Sequence, residues 1–369
     1  MKFTCAKSKL VDALSTVQKA VAQRSAIPAL EGVLIKASSF NLSLCGYNLE
    51  LGITTSFPAK ISDDGAAVLP AGLLTEIVRK LPSDMVELEL LSDFKAKISG
   101  GASTFEVVGL DPKDFPLLPE IDNAQSLDFP VNLLRSMIKQ TLFAVSDVDS
   151  KPVHMGTLFE LSSKELRLVS VDGYRLAMRK EPLKSKVEAR FVVPGKTLRE
   201  VLKLLPEDEQ KSIKISVGQR HIIFFVEDFS IISRLLEGEF MDYETIIPKE
   251  SKTKVTANTK SMIESVERVS LLIADRLKSP IRCDFSEHGI ALSCDTSSGS
   301  AKDEFPAKYE SSDETLALAF NDKYMIDALK NSDTDEVLIS LNTSLSPIKI
   351  TAPKSENFTF LVLPVRLKG

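Results

Sequence analysis

Tryptophan is missing from this 369-residue chain, histidine occurs three times and cysteine four times. Each scarcity removes a class of chemistry. His154, His221 and His288 lie far apart, and none stands at ligand spacing from another. Cys5, Cys45, Cys283 and Cys294 form no CxxC pair, which argues against a zinc or redox site. Scattered thiols of this kind fit packed, reduced residues of a cytoplasmic protein. No apolar run approaches the roughly 18 residues that a membrane helix needs. The start, MKFTCAKSKL, has no apolar signal core. The phosphate loop GxxxxGK[ST], the GxGxxG fingerprint, HExxH and the GxSxG elbow are all lacking. No carboxylate pair stands out for acid–base work. The expectation is a protein that is not an enzyme and needs neither cofactor nor metal.

What is present is repetition. FTCAKSKLVDALSTVQKAV from Phe3, LDFPVNLLRSMIKQTLFAV from Leu127 and VTANTKSMIESVERVSLLI from Val255 align on their apolar positions. Leu10, Leu14, Val17 and Val21 match Leu134, Ile138, Thr141 and Val145, and again Met262, Val266, Val269 and Ile273. Each set follows the i, i+4, i+7, i+11 spacing of one helix face. Pro28, Pro152 and Pro280 keep the same register. A second helix recurs in LPAGLLTEIVRKLP from Leu69, VPGKTLREVLKLLP from Val193 and FNDKYMIDALKNSD from Phe320. Alternating runs such as GVLIKAS, LRLVSV and IKISV lie between the helices and predict strands. DFPLLPE (114–120) and DYETIIPKE (242–250) close the first two units and read as linkers. The expected fold class is α+β: three tandem copies of a two-helix/β-sheet domain, at residues 1–120, 126–244 and 245–369. In each copy two amphipathic helices cover the apolar face of the strands.

Charge is distributed unevenly. The chain has a formal net charge of −5, which by itself speaks against a nucleic-acid binder. Yet the six expected helices, the first spanning Ser8 to Arg24, carry fifteen basic and eight acidic residues. Basic helices on an acidic body fit a polyphosphate partner. Nothing in the sequence reads bases, for there is no helix-turn-helix, zinc finger or aromatic RNA-binding signature. Phosphate contacts of this kind give affinity without sequence preference and permit sliding. Helices packed about 8–10 Å apart set the possible geometry: six in a circle enclose about 17 Å and twelve about 34 Å. A duplex about 20 Å across therefore calls for two chains.

The three-fold repeat, VDGYRLA at 171–177 and the near-terminal LPVRL together resemble the bacterial DNA sliding clamps, the beta subunits of DNA polymerase III holoenzyme. The resemblance covers the whole chain. It implies a head-to-tail homodimeric ring of six domains with helices lining a channel around double-stranded DNA. It implies a processivity factor opened by a clamp loader, with DNA polymerases and repair factors docking through linear peptide motifs. The docking pocket it implies would use His154, Thr157, Val171, Gly173, Tyr174, Arg175, Leu176, Met241, Ile246, Leu361, Leu363, Pro364, Val365, Arg366 and Leu367. An apolar floor with polar rims suits Leu and Phe side chains of a peptide. Many clamps have His at Tyr174, Pro at Met241, Arg at Thr245 and an apolar residue at His154. DNA contacts are implied at Arg24, with Arg79, Lys80, Lys151, Lys196 and Lys203 as basic channel positions. The dimer seam is expected to join Phe105 and Val107 to Leu271 and Leu272. The alternative is a repeat-built interaction scaffold without a DNA function, for which Arg24→Ala would leave DNA association unchanged.

Overall fold

The computed structural model describes the chain except residues 122–123, 149–150, 185–186, 209, 274–278, 312–314 and 367–369. The three repeats follow one element order, the second with one strand fewer between its helices among the described residues. The first runs β1 (Lys2–Ala6), α1 (Lys7–Val17), β2 (Gly32–Ser38), β3 (Asn41–Tyr47), β4 (Leu51–Pro58), β5 (Lys60–Asp63), β6 (Gly65–Pro70), α2 (Ala71–Lys80), β7 (Met85–Leu90), β8 (Lys95–Gly100) and β9 (Ser103–Val108). The second runs β10 (Gln125–Pro130), α3 (Val131–Leu142), β11 (Gly156–Leu161), β12 (Glu165–Val171), β13 (Arg175–Pro182), β14 (Ala189–Pro194), α4 (Gly195–Leu204), β15 (Ser212–Val217), β16 (His221–Val226) and β17 (Phe229–Arg234). The third runs β18 (Thr253–Asn258), α5 (Thr259–Ser270), β19 (Ile281–Ser286), β20 (Gly289–Thr296), β21 (Gly299–Phe305), β22 (Ala307–Glu310), β23 (Thr315–Phe320), α6 (Asp322–Lys330), β24 (Glu336–Leu341), β25 (Ile348–Ala352) and β26 (Ser355–Val362).

Two compact units result, residues 1–134 with 196–235 and residues 135–195 with 236–369, so the division runs through the middle repeat. The first unit holds a five-stranded sheet, β5-β1-β7-β8-β9, and an eight-stranded one, β10-β15-β16-β17-β4-β3-β2-β6. The second holds a nine-stranded sheet, β14-β11-β12-β13-β26-β25-β24-β18-β22, and a four-stranded one, β21-β20-β19-β23. Within each large sheet the last strand of one repeat pairs with the fourth strand of the repeat before it. β17 lies antiparallel to β4 with Ile231 opposite Ile53. β26 lies antiparallel to β13 with Leu361 opposite Leu176. β9 and β21 end their sheets.

The aligned apolar stripes face the cores. Leu10, Leu14, Val17, Leu134, Ile138, Thr141, Met262, Val266 and Val269 are all buried. Burial of one such side chain contributes about 1.5–3 kcal/mol, so these stripes set which helix face meets the strands. Asn258 and Asn321 cap α5 and α6, each side chain accepting from a backbone N–H three residues on. The first helix differs from expectation. It ends at Val17 and tightens into a 3₁₀ turn over Gln18–Ala20, so Arg24 stands in the following loop. Tertiary contacts override the helical stripe there. The Val17 carbonyl packs so tightly on Gly46 that a Cβ would lie 2.1 Å from it. Beyond the turn, Ala22 donates its N–H to Leu30 O at 2.9 Å. The six helices keep their basic excess, with thirteen Lys or Arg against seven Asp or Glu within these bounds.

Candidate binding pocket and sheet edges

The β12–β13 hairpin turns through Asp172-Gly173-Tyr174-Arg175. Gly173 takes φ +93, the positive value that a tight hairpin demands of its first central residue. Asp172 Oδ1 accepts from the N–H groups of Tyr174 at 2.9 Å and Arg175 at 3.0 Å. The first repeat builds the same turn from other residues. Asn48 Oδ1 accepts from Glu50 N–H at 3.1 Å and Leu51 N–H at 2.8 Å, and Leu49 takes φ +74. The turn is therefore a property of the repeat. What sets the second repeat apart is the pair Tyr174-Arg175.

On one face of the nine-stranded sheet, Val171, Leu176 and Leu361 sit side by side across three strands, since Val171 pairs with Leu176 and Leu176 with Leu361. They belong to one apolar cluster with Leu158, Val169, Met178, Phe240 and Tyr243, and Met241 and Ile246 from the linker pack against it half-buried. His154 is buried in a 3₁₀ turn, edge-on to Phe240 at 5.5 Å between ring centroids. Burial, and to a lesser degree the charge of Lys151, holds its pKa below the usual imidazole value. Thr157 does not join this floor. It alternates with Leu158 along β11 and is fully buried on the opposite face, its Oγ1 2.9 Å from Ser170 Oγ.

Arg175 also points to the opposite face. Its Nε donates to Asp172 Oδ2 at 2.8 Å and its Nη1 to Asp327 Oδ2 at 2.5 Å. The guanidinium lies 4.6 Å from the Tyr324 ring centroid and 5.6 Å from that of Phe143. Such a planar, charge-paired stack fixes the side chain as Lys could not. Tyr174 is 62% exposed and stacks on Tyr324 with centroids 6.0 Å apart. Burial raises the Tyr324 pKa, so its hydroxyl stays protonated. The chain end continues beside β13 and then reaches β23 of the four-stranded sheet: Leu363 N–H donates to Tyr174 O at 2.9 Å and Val365 N–H to Ala319 O at 2.8 Å. Leu363 and Val365 are each 39% exposed. Pro364 is half-buried and Arg366 exposed, while Leu367 lies outside the described residues.

The sequence pattern did not reveal Asp327, Phe143 or Tyr324, which together with Asp172 of the VDGYRLA motif hold Arg175 and Tyr174. Helical periodicity marks which residues of α6 are core, and Tyr324 and Asp327 are not among them.

The basic positions are exposed. Arg24 follows α1, Arg79 and Lys80 end α2, Lys196 and Lys203 stand on α4, and Lys151 precedes the turn that carries His154. Arg79 and Lys203 pair with Glu76 and Glu200 three residues back. Arg24, Lys80, Lys151 and Lys196 make no ion pair among the described residues. At the sheet ends, Phe105 is 41% exposed and Val108 65%, whereas Val107 is buried in its own domain. Leu271 is 84% exposed after α5, and Leu272 stands beside Gly299 at the start of β21. Among the described residues no group of three or more His, Cys, Asp or Glu could hold a metal. No helix among the described residues is long and apolar enough to cross a membrane.

Three models of the DNA polymerase III beta subunit match consecutive stretches: the N-terminal domain at 1–119, the central domain at 128–242 and the C-terminal domain at 244–366. The beta sliding clamp of Bacillus subtilis is 32% identical over 99% of this chain and its own full length. A crystal structure of a Bacillus subtilis DNA polymerase sliding clamp matches with a TM-score of 0.95 over the whole of both chains, at 32% identity. A Pseudomonas aeruginosa sliding clamp bound to griselimycin matches with a TM-score of 0.92 at 27% identity, again over the whole of both chains. With three repeats, their strand order and these likenesses all in register, the chain belongs to the DNA polymerase III beta subunit family, the bacterial beta sliding clamps.

Proposed function

We propose that two copies of this chain close head to tail into a ring around duplex DNA, and that the ring tethers polymerases and repair factors without catalysing a reaction. The observation that carries this reading is the pair of unmatched edges. At both in-chain junctions the last strand of one repeat pairs with the preceding repeat. Of the strands equivalent to β17 and β26, and to β4 and β13, β9 in the first repeat and β21 in the third are the ones left at sheet ends among the described residues. Joining β9 of one chain to β21 of another makes a nine-stranded sheet like the one already present, and covers those two edges. Carrying over the Ile231–Ile53 register sets Phe105 against Ala301 of the second copy. The exposed Phe105, Val108 and Leu271 give that seam its apolar content.

The basic excess of the helices supports a duplex partner held by phosphate contacts that never read sequence. Arg24, Arg79, Lys80, Lys151, Lys196 and Lys203 are the residues assigned to those contacts. Since a closed ring is held by topology, a loader that opens it is part of the reading, as is residence in the cytoplasm. Partners dock on the floor made by Val171, Leu176 and Leu361, walled by His154, Met241, Ile246 and the tail residues 363–366, with Leu367 assigned to the site by the resemblance alone. Gly173 and Tyr174 form its rim, and Thr157 and Arg175 support it from the opposite face. The same pocket would take griselimycin.

The test is retention on circular DNA. The protein loaded on a closed circle is expected to stay through a salt wash and to be lost once the circle is cut. Equal loss from both would overturn the ring. Phe105→Asp should convert dimer to monomer in sedimentation velocity. Arg24→Ala should weaken DNA association and lower the salt slope by about one.

A further inference from the structure

We infer that Tyr243, Glu160, Arg167 and Arg190 form a polar clasp that positions Ile246 as the linker wall of the docking pocket. The inference rests on the pocket reading above and adds the device that sets the wall's place. The linker makes one 3₁₀ turn over Tyr243–Ile246. In such a turn side chains three residues apart eclipse, so fixing Tyr243 also fixes the direction of Ile246. The Tyr243 ring is buried, 2% exposed, among Leu158, Val169 and Met178. Its hydroxyl donates to Glu160 Oε2 and accepts from Arg167 Nη1 at 3.5 Å. Arg190 Nε holds the other Glu160 oxygen at 2.9 Å, and Arg167 Nη1 reaches Glu244 Oε1 at 2.5 Å. The donor–acceptor order therefore runs in one direction, from Arg167 through Tyr243 to Glu160, with Arg190 completing the carboxylate. Burial and the Glu160 carboxylate keep the phenol protonated, as that order requires. Thr245 Oγ1 closes the turn on Asp242 O at 2.8 Å.

The first linker shows what the device adds. There Phe115 holds the place of Tyr243, buried at 6% but without a hydroxyl, and Lys36 and Ser43 stand where Glu160 and Arg167 stand in the second repeat. An aromatic alone therefore suffices to seat a linker. The polar chain serves a linker whose side chain must be held in one direction.

The experiment measures griselimycin affinity by calorimetry on the full-length protein. Tyr243→Phe keeps the ring, as Phe115 does, and should weaken binding about tenfold, the scale of one hydrogen bond to a charged group. In an Ile246→Ala background the same change should cost less than about twofold, because the clasp then has nothing to position. Glu160→Gln, which keeps an acceptor oxygen, should retain most of the affinity that Glu160→Ala loses. Equal affinity of wild type and Tyr243→Phe would overturn the clasp, and so would full additivity with Ile246→Ala. If the wild type itself fails to bind griselimycin, the pocket reading falls and the clasp with it. Binding by the wild type that ignores Tyr243 sinks the clasp alone.

Discussion

The linkers after the first and second repeats seat matching residues in different chemistry. At the first, Leu30, Leu34 and Phe115 share a small apolar core. Lys36, Ser43, Cys45 and the Phe225 side chain line a cavity of about 500 Å³ under Pro112 and Phe115–Leu118. Leu117 beside it is 89% exposed. At the second, His154, Leu158 and Tyr243 hold the places of Leu30, Leu34 and Phe115. The matching hollow, about 570 Å³, is walled by Glu160, Glu165, Arg167, Glu188, Arg190 and Glu244. The repeat conserves shape through its apolar positions. Polar positions on the same strands are free to differ, because exchanging them does not disturb the fold beneath.

The contrast makes graded predictions. The largest effect concerns what the two linkers share. Phe115→Ala and Tyr243→Ala should each cost about 3–5 kcal/mol in urea unfolding, since each removes a buried aromatic. A cost below about 1 kcal/mol at either would break the equivalence. Next comes what they do not share. Glu160→Ala should cost about 1–3 kcal/mol by leaving the buried Tyr243 hydroxyl without its acceptor. Lys36→Ala at the matching exposed position should stay within about 0.5 kcal/mol. Equal costs would mean that the charged network contributes nothing.

The hairpins offer a smaller, opposed pair. Gly173→Ala should destabilise by about 1 kcal/mol because φ +93 strains a residue with a Cβ. Leu49→Gly should stabilise by up to about 1 kcal/mol by relieving φ +74. Thermal midpoints moving in the same direction would refute the shared turn.

The smallest effect is in pH. The folded state holds His154 neutral, with its pKa below the ordinary 6.5 through burial and Lys151. Its contribution to stability is therefore fully present above pH 6.5 and lost as pH falls through the lowered folded value. His154→Leu, which copies Leu30, should flatten that fall, leaving the share of His221, which burial, Arg234 and Arg220 also lower. An unchanged acid profile would show that His154 is not linked to folding.

Much of this architecture was legible in the residues. The stripe through Leu10, Leu14 and Val17 and its two copies marked helices because burial at period 3.6 leaves the same trace wherever it occurs. The α1 end was not legible, because Gly46 and Leu30, distant in sequence, decide it. The pocket residues near VDGYRLA and the chain end came through resemblance. That Thr157 and Arg175 face away from Val171 and Leu176 follows from strand register, which no short motif states. Val107 likewise turns out buried in its own domain beside an exposed Phe105, a matter of where one sheet stops.

Composition and periodicity thus determined the number of repeats, the helix faces, the basic excess and the lack of catalytic motifs, because each is a sum or spacing along the chain. Only the tertiary structure decided which edges stay unpaired, which guanidinium stacks on Tyr324 and which linker is clasped. Those depend on residues such as Arg167 and Tyr243 meeting across 76 positions of sequence, and hydrogen bonds form between neighbours in space.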